Sequence, residues 1–556
     1  MRPKLTFLTA VLLLGLGASI ALVIGEDAPS APKGAADPAA AARRATVRDF
    51  GAIGDGKTDD TAAIQAAVDS AAGEVHLPRG TYRITRPIVI DLDKVGWTSL
   101  SGGGVARIVM AGAGPAVKFI GTHEGTASPK TVKPNVYACQ RMPAVDGVEF
   151  VGAHEQASAI QAVGTMKLVV TRVVVRECLH AIHLVKRNRN VIVSNCHLYH
   201  NRGAGVYLDD VNLHQINVTG SHISYNAGGG IVVRAGNVRN LQVSGCDIEG
   251  NMGPPDAPAT ANILIDCSGG EAGTAEVAIA GCTIQHTAGA TDSANIRFLG
   301  ADAKDRRWGH LTIADNVLSD VQVNIDIEKA RGVSITGNTM WKGVRHNLRV
   351  RDSSNVVVGP NVSDRNPQYW GQDKAGEGIV FDGCRDCTIT GLHVNGVRRA
   401  AAGVILRNCR RMNVSNCTVL DCGGAGVLLK DVSDSRVSGC LIRNDRADAN
   451  AWVSLRAVGG RGNVIAWNVL GAPAAIDPKC LLDPKPTNWI SPRRARSAGA
   501  PRGDVPATLR PPVEAAAVAR HRVEAVDAAG GDGFKFPGFP ADTSSGTMSA
   551  IQKPLP

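Results

Sequence analysis

The chain has 556 residues, 44% of them hydrophobic and only 4% aromatic, with 63 glycines and 28 prolines; this favours many short strands and turns over large helices, and one long repeat array or two to three domains. The formal charge of +10 calls for an acidic partner. No basic run interleaved with aromatics and no nucleic-acid motif occurs, so nucleic acid is set aside and acidic polysaccharide is the partner expected.

In chain order, Met1-Arg-Pro-Lys precedes an uncharged stretch from Leu5 to Gly25. Residues 1–25 read as a signal peptide or an N-terminal membrane anchor, and residues 26–45 as a disordered tether. The expected location is secreted, periplasmic or cell-surface. "VRDFGAIGDGKTDDTAAIQAAVDSAAGEVHLPRGTYRI" follows, at residues 47–84. Within it Thr61 to Ala72 is helical by pattern, with Ile64, Ala67, Val68 and Ala71 on one face and Asp59-Asp60 at its start. Such a helix can close the exposed strand edges at the end of a solenoid, and "EVHLPRGTYRI" supplies the first strands around a tight turn.

From residue 145 the chain repeats itself at intervals of mostly 22 to 25 residues: "VSNCHL", "VTGSHI", "VSGCDI", "IAGCTI", "ITGNTM", "VSNCTV" and "VSGCLI" are among the copies. A second strand follows each, as in "AIHLV", "GVYLD", "IVVRA" and "NILID". Two alternating strands per repeat at this period predict a β-helix. The expected fold is therefore all-β, a parallel β-helix of about twelve coils over residues 46–472, capped by residues 46–84. Cys196, Cys246, Cys282, Cys417 and Cys440 share one repeat position with Asn316, Asn338 and Asn468, which predicts an interior ladder of free thiols. Cys384-Arg-Asp-Cys387 has metal-like spacing but no second pair at zinc-finger distance, so no metal is assigned. Residues 473–556, rich in Ala, Pro and Arg, read as a largely disordered tail.

"DFGAIGDGKTDDTAAIQAAVD" with "VHLPRGTYRI" resembles the N-terminal signature of the pectate-lyase-like superfamily of right-handed β-helices, which includes polygalacturonases, polysaccharide lyases and phage tailspikes. With the repeats, the resemblance covers residues 46 to about 472. It implies architecture, a right-handed parallel β-helix, and leaves the chemistry open. The Asn-Thr-Asp, Gly-His-Gly and Arg-Ile-Lys set of polygalacturonases and the Trp-x-Asp-His of pectate lyases are absent. Asp209-Asp210 follows its strand where the family's acid pair precedes it.

Fixing the register places Gln161, His183, Tyr207, Val232, Leu264, Arg297, Asp326, Arg349, Val380, Ile405 and Leu428 in one outward column. Two residues later a second column runs through Asp209, Arg234, Asp266, Leu299, Glu328, Arg351, Asp382, Arg407, Lys430 and Arg456. Residues 177–266 concentrate unusual types: His180, His183, His200, Arg202, Tyr207, Asp209, Tyr225, Asn226, Arg234, Glu249 and Asp266. Asp209, Arg234, Asp266, His183 and Tyr207 are the catalytic candidates; His200, Arg202, Tyr225, Asn226, Glu249, Arg297, Asp326 and Arg349 are the substrate-binding candidates. Asp209 and Asp266, two coils or about 9.6 Å apart, suit an inverting hydrolase. Arg234 to neutralise a uronate carboxylate and His183 or Tyr207 as base suit a lyase, slightly ahead of the hydrolase. A lyase leaves room for Ca2+; no cofactor is otherwise implied. The competing reading is a non-catalytic surface, adhesion or polysaccharide-binding module, its charged column a solvated salt-bridge ladder. Trp341, Tyr369 and Trp370 are candidate groove walls.

Overall fold

Each copy of the Val-Ser-Asn-Cys-His-Leu type turns a corner. The strand Ile182–Ser194 ends at its Ser, Asn195 takes φ 54°, and the strand His197–Tyr199 begins two residues on. Gly220, Gly245, Gly281, Asn416 and Gly439 hold the same left-handed place in their coils. Gly and Asn recur there because they tolerate positive φ best. The stretch read as one strand is therefore two, and a coil has three strand positions where the sequence suggested two.

The computed structural model describes residues 45–126, 128–270, 272–301, 308–368, 376–446, 451–483 and 488–490. The expectations for residues 1–44 and for most of the tail, with Tyr369 and Trp370, lie outside the described residues. Among the described residues no helix is long and apolar enough to cross a membrane. The strands pair in parallel with their counterparts in the next coil, giving a right-handed parallel β-helix with three faces. Sheet 1 contains Gly229–Arg234, Ala261–Asp266 and Ala294–Leu299. Sheet 2 contains Ala275–Ala280, Gly309–Ala314 and Arg331–Thr336. Sheet 3 contains His222–Ser224, Asp247–Glu249 and Thr283–Gln285.

Alternation sends every second side chain inward. In sheet 1 Ile182, Val206, Ile231, Ile263, Ile296 and Ile325 are register partners in successive coils and fully buried. The corner before sheet 3 holds the thiols. Cys196, Cys246, Cys282, Cys417 and Cys440 are buried and unbridged. In the same ladder the Asn316 amide donates to Asn338 Oδ1 at 3.0 Å and Asn338 to Asn361 at 2.9 Å. Burial pushes the Cys196 thiol up to about 11. All 13 cysteines are free and only Cys139 is exposed, so a thiol reagent should titrate one group in the native protein and 13 after denaturation. A disulfide joining Cys196, Cys246 or Cys282 in a non-reducing peptide map would contradict this packing.

A second ladder occupies the corner between sheets 3 and 1. Asn201, Asn226, Asn251, Asn262, Asn295, Asn324 and Asn347 each pass an amide hydrogen bond to the next at 2.7–2.8 Å, all of them buried. An amide both donates and accepts, so a stack of them satisfies itself coil by coil.

The cap is built from the acids of its motif. Asp60 is buried and accepts from the backbone N–H of Ile53 at 2.7 Å and of Gly54 at 3.0 Å. Asp59 accepts from the Thr61 N–H and the Thr85 hydroxyl. The pair thus pins the loop and the start of the helix Thr61–Asp69, whose Ile64, Ala67 and Val68 are buried. Ala71, expected on that face, lies beyond the helix end at φ 54° and is exposed. The coil also continues past residue 472: Ala475–Ile476 pairs with Arg456–Ala457, and Trp489–Ile490 with Val469–Leu470. Two-residue strands carry too little alternation to be seen in the sequence.

Candidate functional site

His183, Tyr207 and Asp209 project from sheet 1 because Ile182, Leu184, Val206 and Leu208 between them are buried. His183 and Tyr207 are register partners in adjacent coils, and Asp209 pairs with Val185. The His183 and Tyr207 rings stack at 5.2 Å and 9°. His183 Nε2 lies 3.0 Å from Asp209 Oδ2, and Nδ1 lies 3.3 Å from the Gln161 amide nitrogen. A carboxylate only accepts, so the proton is assigned to Nε2 and the Nδ1 lone pair faces Gln161. His180 completes the cluster at 4.8 Å from the Tyr207 ring. Its Nδ1 accepts the Ala204 N–H at 3.0 Å, and burial, then the neighbouring His183, holds its pKa down to about 4. Burial, reinforced by Asp209, pushes the Tyr207 phenol up to about 12. At neutral pH Tyr207 therefore keeps its proton and His180 is uncharged.

Arg234 follows Asp209 in the column and Asp266 follows Arg234. Arg234 Nη1 lies 3.6 Å from Asp266 Oδ2. Asp266 also accepts from the Ser268 N–H at 3.0 Å and the Ser268 hydroxyl at 2.5 Å. Val232 and Leu264 continue the column of His183 and Tyr207; they point outward yet are buried with Ala204, Ala261 and Ala294.

The structure brings the five catalytic candidates together on one face and disperses the binding candidates. Arg297 and Asp326, expected at the surface, are 4% and 0% exposed. Arg297 Nε donates to Asp326 at 2.9 Å, Arg349 donates to Asp326 through Nε at 2.8 Å and Nη2 at 2.7 Å, and Arg297 also reaches Asp292 at 3.0 Å. These groups are held by one another, so Arg297 is engaged through Nε and Nη2 and lies buried, and Arg349 is a half-buried partner of Asp326. Asn226 belongs to the interior amide ladder, so its polar atoms face Asn201, Asn251 and the Leu198 carbonyl. His200 and Tyr225 sit at left-handed corners, φ 53° and 54°, with ring centroids 5.6 Å apart. Tyr225 donates to Glu249 of sheet 3 at 3.4 Å, so this set faces another side from Tyr207. Arg202 donates to the carbonyls of His154, Glu155 and Glu177 and ties corners together. Arg456 continues the first column beside Leu428, and Val458 pairs with Lys430, which corrects the assignment of Arg456 to the second. Trp341 is half-buried at a turn, and Cys384 and Cys387 are buried free thiols. Sequence reasoning placed Gln161 in the column and His180 in the cluster but gave neither a catalytic or binding role.

Residues 45–292 match the family model described as Rhamnogalacturonase A/epimerase, pectate lyase-like. Residues 279–444 match that of the periplasmic copper-binding protein (NosD). Mannuronan C5-epimerase AlgE3 of Azotobacter vinelandii is 60% identical over 43 residues, 7% of this chain and 2% of that protein. Alginate lyase 7 of the same organism is 63% identical over 43 residues, 7% of this chain and 5% of that protein. The match thus spans a small fraction of either relative. Among solved structures, the A-module of Azotobacter vinelandii mannuronan C-5 epimerase AlgE4 has a TM-score of 0.36 and 14% identity, covering 80% of this chain and 99% of that one. The tailspike protein gp49 of Pseudomonas phage LKA1 has a TM-score of 0.43 and 14% identity, covering 78% and 84%.

Proposed function

We propose, from the match of residues 45–292 to a pectate lyase-like family model and from the parallel β-helix fold, that the chain removes the proton alpha to the carboxylate of a uronate residue in an acidic polysaccharide. The observation that carries this reading is the His183–Tyr207 stack with Asp209 hydrogen-bonded to His183. Arg234, exposed one coil away, binds the uronate carboxylate and withdraws charge from it. His183, oriented by Asp209, takes the proton at Nδ1 once the 3.3 Å contact to Gln161 opens. Tyr207, protonated at neutral pH, gives a proton back. Delivered to the leaving glycosidic oxygen, that proton completes elimination; delivered to the carbon from the opposite face, it completes epimerisation. Lyase and C5-epimerase chemistry share the first step, and both occur in the names of the short matches.

Hydrolysis fits the site less well. Its acid must carry a proton for the leaving oxygen, and Asp266 is surrounded by donors from Ser268 and Arg234 with no acceptor for such a proton. Calcium needs six to eight oxygens. Asp209 and Asp266 are each occupied by nitrogen or hydroxyl donors, and among the described residues no group of three or more His, Cys, Asp or Glu is placed to hold a metal ion. The residues present do not fit a calcium cage, and Arg234 supplies the positive charge in this reading. The polymeric substrate and the uncharged stretch after Lys4 support an exported protein.

The test is a screen of the purified protein on alginate, polymannuronate and polygalacturonate, reading 235 nm absorbance, reducing ends and the proton NMR spectrum of the polymer. New absorbance, or a changed epimer ratio without cleavage, supports the reading. Reducing ends without absorbance would establish hydrolysis instead, and no change in any polymer would favour a binding module.

A further inference from the structure

A trough opens on sheet 2 near the cap, on a different face from His183 and Tyr207. Its floor is Ser99 and Ser101 beside Ala144 and Asp146, register partners in adjacent coils. Small side chains there leave a cavity of about 740 Å3, lined also by Trp97, Arg141, Met142 and Lys167. Trp97, Met142 and Lys167 each stand two residues ahead of Ser99, Ala144 and Val169, which are stacked in three successive coils. The wall therefore runs along the solenoid axis, advancing about 4.8 Å per coil. Gly96 at φ 74° and Lys167 at φ 60° are corner residues that turn this wall outward.

Trp97 is 52% exposed and Met142 65%, a concentration of large apolar surface that a solvated sheet face does not need. The Arg141 guanidinium lies 4.6 Å from the Trp97 ring centroid, and Lys167 Nζ lies 6.0 Å from that of Tyr137. Among the described residues neither cation has a carboxylate partner, because the acids nearby are held elsewhere. Asp146 is in a two-pronged pair with Arg172, and Glu74 accepts from the Ser101 hydroxyl at 2.6 Å.

We infer that this trough is a second binding site for an acidic polysaccharide chain. The free face of the Trp97 indole takes the apolar face of a sugar ring, and Arg141 and Lys167 take carboxylates of neighbouring residues. The site holds polymer while sheet 1 acts on it. The inference rests on the substrate class proposed above, and its test reads binding without catalysis.

The experiment is affinity electrophoresis of the full chain in gels containing alginate, polygalacturonate or dextran, with mobilities normalised to a blank gel. Arg234→Ala serves as background, to weaken binding on sheet 1. Both uronate polymers should retard the background protein and dextran should not. Trp97→Ala, which keeps the charge, should raise the dissociation constant by about tenfold, and Arg141→Ala with Lys167→Ala should abolish the retardation. Retardation indifferent to Trp97 overturns the inference even where the enzyme is active. Retardation lost with Trp97 in a protein with no turnover upholds it while the catalytic reading fails. Equal retention by dextran, or stronger retention by single-stranded DNA, overturns the assignment of the ligand.

Discussion

Tyr207→Phe should lower turnover of the uronate polymer found by the screen by about 10²- to 10⁴-fold, the range of a lost general acid. The substitution removes one oxygen and keeps the ring, so the stack on His183 at 5.2 Å and the contact with His180 at 4.8 Å survive. A loss on that scale then belongs to the proton and not to packing. Because burial and Asp209 push the phenol up to about 12, the rate of the unaltered protein should not fall between pH 7 and 9 through ionisation of Tyr207. Arg234→Ala in the same assay should cost about tenfold or more through the lost carboxylate contact. It should do so without unfolding the coil, since its pair with Asp266 is half exposed at 3.6 Å and worth roughly 0 to 1 kcal/mol. Arg407→Ala is the control, a charge in the same column paired with Asp382. Wild-type turnover in Tyr207→Phe would remove Tyr207 from the mechanism, and equal turnover in the two arginine variants would move the site off these coils.

How far the sequence could be read depended on where each residue sits in the coil. Column membership was legible because one repeat is one coil and alternation decides the side: His183, Tyr207 and Leu264 fall where the spacing predicts. What covers a column was not legible. Arg297 and Asp326 do point outward, but Asp292 reaches Arg297 from an irregular stretch with no period to betray it. Corners were also opaque, because alternation lapses at left-handed residues. His200, Tyr225 and Asn226 could then be assigned to the face of Tyr207 although they belong to a different corner or to the interior. The 25-residue spacing of Asn201, Asn226 and Asn251 carried the clue to their ladder, as the cysteine spacing did for the thiols. Trp97 and Arg141 lie upstream of the first clear repeat at residue 145, where no register existed to group them with Lys167.

The same covered column makes the second large effect a loss of stability. Asp326 is fully buried and accepts from Arg297 and Arg349 at 2.7–2.9 Å, with Arg351 at 3.6 Å. Burial alone would raise its pKa, but Arg349 and the other guanidiniums outweigh it and hold the carboxyl below its ordinary value. Its stabilising contribution is therefore complete above the ordinary carboxylate range and is lost only as pH falls through the lowered value. Asp326→Ala leaves Arg297 buried beside Arg349 with their buried counter-charge gone and only the part-exposed Asp292 still paired with both, which should cost about 3 to 5 kcal/mol. Each coil of a solenoid touches only its neighbours, so the damage should be local. Hydrogen–deuterium exchange is expected to accelerate in Ala294–Leu299, Val321–Glu328 and Gly343–Arg351, and to stay unchanged in the capping helix Thr61–Asp69. Asp382→Ala, which breaks an exposed pair at 2.7 Å, should cost no more than about 1 kcal/mol. Matching exchange in the two variants would mean that the three arginines tolerate one another without Asp326, and that this network is a solvated ladder after all.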